Sequence, residues 1–131
     1  PQIADSSLYF AEKALQIAEK YNDDSGMIVS NHQIGDFYQS KRNYLRAIVH
    51  YKEAYDLLSR HSPNSEEATL SGKLGFNYFM RGDYHNALVM YEKALEKNRD
   101  LHNEKEIATI LKNIGISHSE QKNQTKAVEY L

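Results

Sequence analysis

The 131-residue chain contains no cysteine, no tryptophan and only two prolines, Pro1 and Pro63. Without cysteine there can be no disulfide bond, no thiolate nucleophile and no cysteine-ligated zinc. A proline inside a helix removes a hydrogen bond and clashes with the preceding turn. Because prolines are so few, the interior of the chain can be helical almost throughout.

The chain also lacks an excess of charge of either sign, and it lacks any long apolar run. Its formal net charge is −2, from 16 basic and 18 acidic residues, so no basic surface for nucleic acid or acidic lipid is indicated. A helix that spans a membrane needs roughly 20 consecutive apolar residues, and no such run occurs. We therefore expect neither a direct nucleic-acid partner nor membrane insertion.

What the chain does contain is a pattern that returns at a fixed interval. Gly35, Gly75 and Gly115 lie 40 residues apart, and each follows an aliphatic residue. The other positions that recur in register are tyrosines and alanines: Tyr38, Ala47, Tyr51 and Ala54 in the first copy, Tyr78, Ala87, Tyr91 and Ala94 in the second, and Ala127 in the third. Self-similarity at a period of this size is typical of proteins built from stacked helical repeats.

Each copy is predicted to form two antiparallel helices, because its apolar residues recur at intervals of three and four. Tight turns are expected between the helices, as at 81–83, and Asp23 or Asp24 is expected to cap the first complete copy. Ala14 and Leu15 are in register with Ala94 and Leu95, so the chain opens on the second helix of an earlier copy. The predicted helices number about seven: 3–21, 25–40, 44–60, 65–80, 84–100, 105–120 and 124–131.

The predicted organisation is a single array over residues 1–131. It begins with the second helix of a preceding repeat at 1–22, continues with repeats at 24–62 and 64–102, and closes with a truncated repeat at 103–131. Because both ends fall inside a repeat, we expect a fragment of a longer array. Such ends expose apolar helix faces and favour self-association; these faces would include Leu8, Leu15 and Ile17 at one end and Ile110, Ile114 and Val128 at the other.

These residues resemble the tetratricopeptide repeat, whose signature runs from an aromatic through Leu-Gly and Tyr to Ala and a further aromatic–Ala pair. Asn31, Ser71 and Leu111 replace the expected tryptophan, and the period of 40 exceeds the usual period of about 34. Longer periods of this kind resemble mitotic adaptor proteins, Rap-type bacterial regulators and the sensory parts of some histidine kinases. The resemblance implies an all-α, right-handed superhelical solenoid of antiparallel helix pairs.

Glycine inside a helix costs about 1 kcal/mol relative to alanine, so the three repeated glycines need a reason. We predict that Gly35, Gly75 and Gly115 mark the closest approach of the two helices of each repeat. The alanines of the second helices would leave room there, and Tyr38 and Tyr51 would fill the gaps beside them. The predicted role of these positions is structural.

The resemblance implies that the first helices line a concave groove that binds a peptide or a partner helix. The groove residues implied are His32, Gln33, Asp36 and Gln39 in the first copy, Lys73, Phe76, Phe79 and Met80 in the second, and Lys112, Asn113, Ile116 and Glu120 in the third. Phe76 and Ile116 are apolar, and either groove exposure or packing against a neighbouring helix explains them. Asp36 stands where some relatives capture a terminal carboxylate, and its charge would repel one. Asn113 and Gln33 offer an amide to a peptide backbone.

No catalytic motif, phosphate-binding loop or cofactor site is predicted. His32 and Asp36 lie one helical turn apart, but two ligands fall short of the three or four that a stable metal site needs. We therefore expect a protein-interaction scaffold with a protein or peptide partner, and no enzyme. The alternatives are a ligand- or peptide-sensing region of a larger bacterial signalling protein and a self-assembling array. A cytoplasmic location is favoured, and an extracytoplasmic sensor region stays open.

Overall fold

A computed structural model describes the backbone of residues 3–61 and 65–129, and the side chains of residues 6–61 and 65–126. Over these residues the chain forms helices and no strand, which confirms the all-α prediction. The helices are α1 (Ile3–Lys20), α2 (Asp24–Ser40), α3 (Tyr44–Leu58), α4 (Ser65–Met80), α5 (Tyr84–Asp100) and α6 (Glu104–Glu129). Their contacts form two compact units. Unit 1 holds α1 to α3, and unit 2 holds α4 to α6.

Within each unit, neighbouring helices are joined by three-residue turns with one residue in the left-handed region. The amide after that residue bonds to a carbonyl five residues back, as in Asp23 N to Ala18 O at 2.8 Å and Asp83 N to Tyr78 O at 3.0 Å. This bond satisfies a carbonyl that the helix end would otherwise leave open. The left-handed residues are Asn22, Arg42, Gly82 and His102.

The residue that follows the left-handed position caps the next helix, as Asp23, Asn43 and Asp83 show. Asp23 Oδ1 accepts a hydrogen bond from Gly26 N at 3.0 Å, which confirms a cap there. Asn43 serves Arg46 N in the same way at 3.2 Å, and each cap of this kind stabilises a helix by about 1 kcal/mol. The short turns set consecutive helices side by side and antiparallel.

The core of each unit lies between a first helix and the second helix that follows it. In unit 2 the buried cluster is Ala87, Tyr91, Ala94 and Ile110, and α5 lies against both α4 and α6. In unit 1, α2 lies against both α1 and α3. The predicted signature alanines Ala47, Ala54, Ala87 and Ala94 are all fully buried. Their small side chains let the paired helices approach closely.

Two of the three repeated glycines stand at a helix crossing, as predicted. A Cβ on Gly35 would lie 2.6 Å from Tyr51 Cδ1, and a Cβ on Gly75 would lie 2.6 Å from Tyr91 Cδ1. Both tyrosine rings are buried, so neither can move aside without opening a cavity. Close packing against a tyrosine therefore explains these two glycines.

The third copy differs from its prediction, because α6 continues to Glu129 and no separate helix begins at residue 124. A turn like the others would place Lys122 in the left-handed region, a position that Arg42 and His102 occupy in earlier turns. Lys122 is exposed, and its side chain favours a helix. No described heavy atom lies within 4 Å of a Cβ on Gly115, so a crossing at this glycine is not confirmed. The side chain of Ala127 lies outside the described residues.

The predicted exposure of apolar end faces is confirmed for Ile17 and wrong for Ile110. Ile17 of α1 is exposed, whereas Leu8 and Leu15 are half-buried. On α6, Ile110 is buried in the core cluster and Ile114 packs against it, because this side of the helix faces α5. Val128 lies outside the described side chains.

The glycine packing predicts opposite effects of alanine at equivalent helical positions. Gly75→Ala is expected to destabilise unit 2 by about 1–2 kcal/mol, because overpacking against the Tyr91 ring exceeds the gain in helix propensity. Gly72→Ala and Gly115→Ala are matched controls, since no described atom lies within 4 Å of either Cβ. Each should stabilise by about 0.5–1 kcal/mol. Urea denaturation measures all three, and a Gly75→Ala protein as stable as wild type would contradict the packing argument.

Candidate functional site

In unit 1, four predicted groove residues lie on α2, and Tyr51 of α3 ties two of them together. The Tyr51 hydroxyl donates a hydrogen bond to Asp36 Oδ1 at 2.5 Å, and its oxygen lies 3.2 Å from Gln39 Oε1. His32 Nε2 lies 3.8 Å from the same oxygen of Asp36. Gln33 is exposed on the same helix. Unit 1 therefore presents a connected polar cluster on α2.

Tyr51 connects this cluster to the core. Burial raises the pKa of its phenol well above the ordinary value, and the hydrogen bond and negative charge of Asp36 act in the same direction. The phenol therefore keeps its proton and remains a donor at physiological pH. Because the ring is held against Gly35, the hydroxyl position is set by packing, and it orients the Asp36 carboxylate in turn.

An open cleft of about 720 Å³ lies between α1 and α2, beside this cluster. We call it the Asp36 cleft. Of the described residues that line it, Asp36 alone is charged, and its side chain is 49% exposed. The other lining groups include two hydroxyls, an amide and two aromatic rings: Ser6, Ser7, Gln33, Phe10 and Phe37. The cleft thus combines one carboxylate with apolar walls.

A second cleft of about 560 Å³ lies further along the same two helices and is mainly apolar. It is bordered by Ile17 of α1, by Tyr21 directly after α1 and by Val29 of α2. Phe10, Ile17 and Tyr21 are 68%, 59% and 70% exposed, respectively. With Ala14 they form a stripe at intervals of four, three and four, which we call the α1 stripe. This spacing is that of a helix face that packs against another helix.

In unit 2, the predicted residues of α4 divide between core and surface. Phe76 and Phe79 are half-buried and pack against the core cluster, which for Phe76 is the packing alternative that the sequence left open. Met80 is exposed, and Lys73 is half-buried. The α4 face is thus more apolar and more covered than the α2 face.

On α6, Lys112, Ile116 and Glu120 are exposed and Asn113 is half-buried. Asn113 Nδ2 donates a hydrogen bond to the Tyr91 hydroxyl at 3.1 Å. Burial raises the pKa of Tyr91 to about 12, and the bond from Asn113 opposes the rise. One amide proton of Asn113 is therefore used within the protein.

Sequence reasoning missed a polar contact at the position where the repeat signature expects tryptophan. Asn31 is buried, and its Oδ1 lies 2.9 Å from His50 Nδ1. The His50 ring stacks on Tyr38 with centroids 5.9 Å apart. Burial lowers the pKa of His50, so this histidine is mainly neutral at physiological pH. A buried asparagine needs a hydrogen-bond partner. An asparagine at the position where the repeat signature expects tryptophan was therefore the one sequence signal for this contact.

Comparison with known families decides the identity of this helical pattern. Tetratricopeptide repeat models match residues 65–131 and residues 28–57. The chain belongs to the tetratricopeptide repeat family. A similar protein is the "Uncharacterized protein ycf37" of Guillardia theta, which is 30% identical over 115 residues. That alignment covers 88% of this chain and 61% of the ycf37 protein, so the chain spans less than two thirds of its relative.

Tetratricopeptide repeats are protein-interaction modules, and their repeats generally carry no catalysis. The described residues contain no group of three histidine, cysteine or acidic side chains that would hold a metal ion. Within the same ranges, no helix has the length and apolar character required to cross a membrane. The surfaces on α2 and α6 are thus the candidate interaction sites of this repeat protein.

The raised pKa of Tyr91 predicts an alkaline loss of stability. A tyrosine in an unfolded chain ionises near pH 10, whereas folded Tyr91 keeps its proton to about pH 12. Between these values the folded state binds more protons, so the free energy of unfolding falls as the pH rises. Tyr91→Phe should reduce this fall between about pH 10 and pH 12, measured by urea denaturation. An unchanged slope would show that Tyr91 ionises normally.

Proposed function

We propose that this tetratricopeptide repeat protein binds a peptide segment or a partner helix on the first helix of its repeats. These helices are α2 in unit 1, and α4 and α6 in unit 2. The observation that carries the proposal is the surface of α2, where an open cleft lies beside polar groups that internal hydrogen bonds already orient. Groups held in place before binding lose less entropy when a ligand arrives. Such a surface suits recognition of a short segment.

The exposed face of α6 supports the same proposal from unit 2. Ile116 is 39% exposed, and Lys112 lies one turn earlier on the same face. An exposed aliphatic group beside charged residues is typical of an interaction surface. Asn113, held by Tyr91, keeps its remaining amide capacity for a peptide backbone.

The single array over residues 1–131, its repeat boundaries and a cytoplasmic location remain predictions of this proposal. The alternative role as a sensing region of a larger signalling protein requires the same ligand-binding surface. It adds a ligand-dependent change that an attached domain detects. Binding without any change in amide hydrogen exchange beyond the bound surface would favour the scaffold.

Selection from a library of random short peptides displayed on phage tests the proposal. The wild-type protein should enrich a family of related peptides, and Ile116→Asp should weaken binding of those that contact α6. Leu111→Asp is the matched control, because Leu111 is also exposed on α6 but lies on another side of the helix. Circular dichroism and thermal melting first establish that both variants fold. If wild type enriches no peptide family, the proposed function is wrong.

We propose self-association through the α1 stripe as a second role, because three large apolar side chains are exposed there together. Soluble monomers rarely leave such a patch uncovered. Ile17→Asp should lower the average mass in sedimentation experiments over a concentration series. Val49→Asp adds the same charge at an exposed position on α3 and should leave the mass unchanged. A wild-type protein that stays monomeric throughout would rule the interface out.

A further inference from the structure

The Asp36 cleft has features that favour one class of side chain over the others. Among the described residues that line it, the one charged group is a carboxylate, which is half exposed and therefore accessible. The hydrogen bond from Tyr51 at 2.5 Å holds one carboxylate oxygen, and the Tyr51 ring is itself fully buried. A cation that enters the cleft thus meets an anion that is already positioned, and little side-chain entropy is lost on binding.

The walls of the cleft complement a cation attached to an apolar stem. Lysine and arginine carry an aliphatic chain that packs on apolar surface while the charged head bonds to a carboxylate. Phe10, which is 68% exposed at the edge of the cleft, offers an aromatic ring to such a stem or to the cation itself. The Ser6 and Ser7 hydroxyls can accept the remaining N–H groups of a guanidinium.

Two basic side chains, Lys41 and His32, already lie near the residues that line the cleft. Lys41 Nζ lies 5.8 Å from the centroid of the Phe37 ring, so we assign the cation-accepting ring to Phe10. His32 Nε2 lies 3.8 Å from Asp36 Oδ1, so an incoming cation would share this carboxylate with the imidazole nitrogen.

We infer that the Asp36 cleft selects a peptide in which a lysine or arginine lies next to an apolar residue, and that it disfavours acidic side chains and free carboxylates. This inference rests on the proposed function and names its ligand. The preference belongs to unit 1, because the equivalent positions in the other copies carry Phe76 and Ile116. Asp36 is a carboxylate, whereas Phe76 and Ile116 are apolar at the same helical position. The three copies would therefore recognise different side chains of a ligand there.

The peptides that wild-type protein enriches in the phage selection provide the test. We expect one position enriched in lysine and arginine, with an apolar residue beside it. Selection on Asp36→Asn should lose the basic enrichment, while the asparagine Oδ1 still accepts the hydrogen bond from Tyr51. Asp56→Asn removes an exposed carboxylate from α3 and should keep the enrichment. Both variants are checked for wild-type helicity and melting temperature.

Replacing the arginine of the best peptide with citrulline removes the charge and keeps the shape. The wild-type protein should bind the citrulline peptide about tenfold more weakly, as expected for loss of a charge-assisted hydrogen bond. Asp36→Asn should bind the two peptides within about twofold. A basic preference that persists in Asp36→Asn, or enriched peptides without one, would overturn the inference and leave the proposed function standing. A library that yields no peptide overturns both.

Discussion

The contact between a helical glycine and a buried tyrosine ring is the constraint on which both units depend. Gly35 and Gly75 lie so close to Tyr51 and Tyr91 that a single methyl group would overlap the ring. The glycines destabilise their helices slightly, and the close packing that they permit offsets this cost. Each tyrosine ring is thereby fixed in the core. The hydroxyl of Tyr51 reaches α2, and the hydroxyl of Tyr91 reaches α6.

The same tyrosine therefore links stability to recognition. In unit 1 the hydroxyl of Tyr51 donates to Asp36, and in unit 2 the hydroxyl of Tyr91 accepts from Asn113. Burial keeps both phenols protonated by raising their pKa. A hydroxyl can donate or accept, so the same glycine–tyrosine packing supports a carboxylate on α2 in unit 1 and an amide on α6 in unit 2. The recognition surface can change while the packing is retained.

In the third copy this contact is not found among the described residues. A Cβ on Gly115 would meet no described atom of another helix within 4 Å, and α6 runs on to Glu129 as one helix. The resulting long helix exposes Leu111 and Ile116.

The sequence by itself determined α1 to α5 and their pairing within each unit, because periodicity and capping are local properties of the chain. The predicted 65–80 and 84–100 match α4 and α5, and Gly35 and Gly75 were assigned correctly to helix crossings. Tertiary structure alone decided that Phe76 packs on the core and that Asp36 is held by Tyr51. These outcomes depend on the angle and depth at which two helices meet, and no spacing along one helix specifies them.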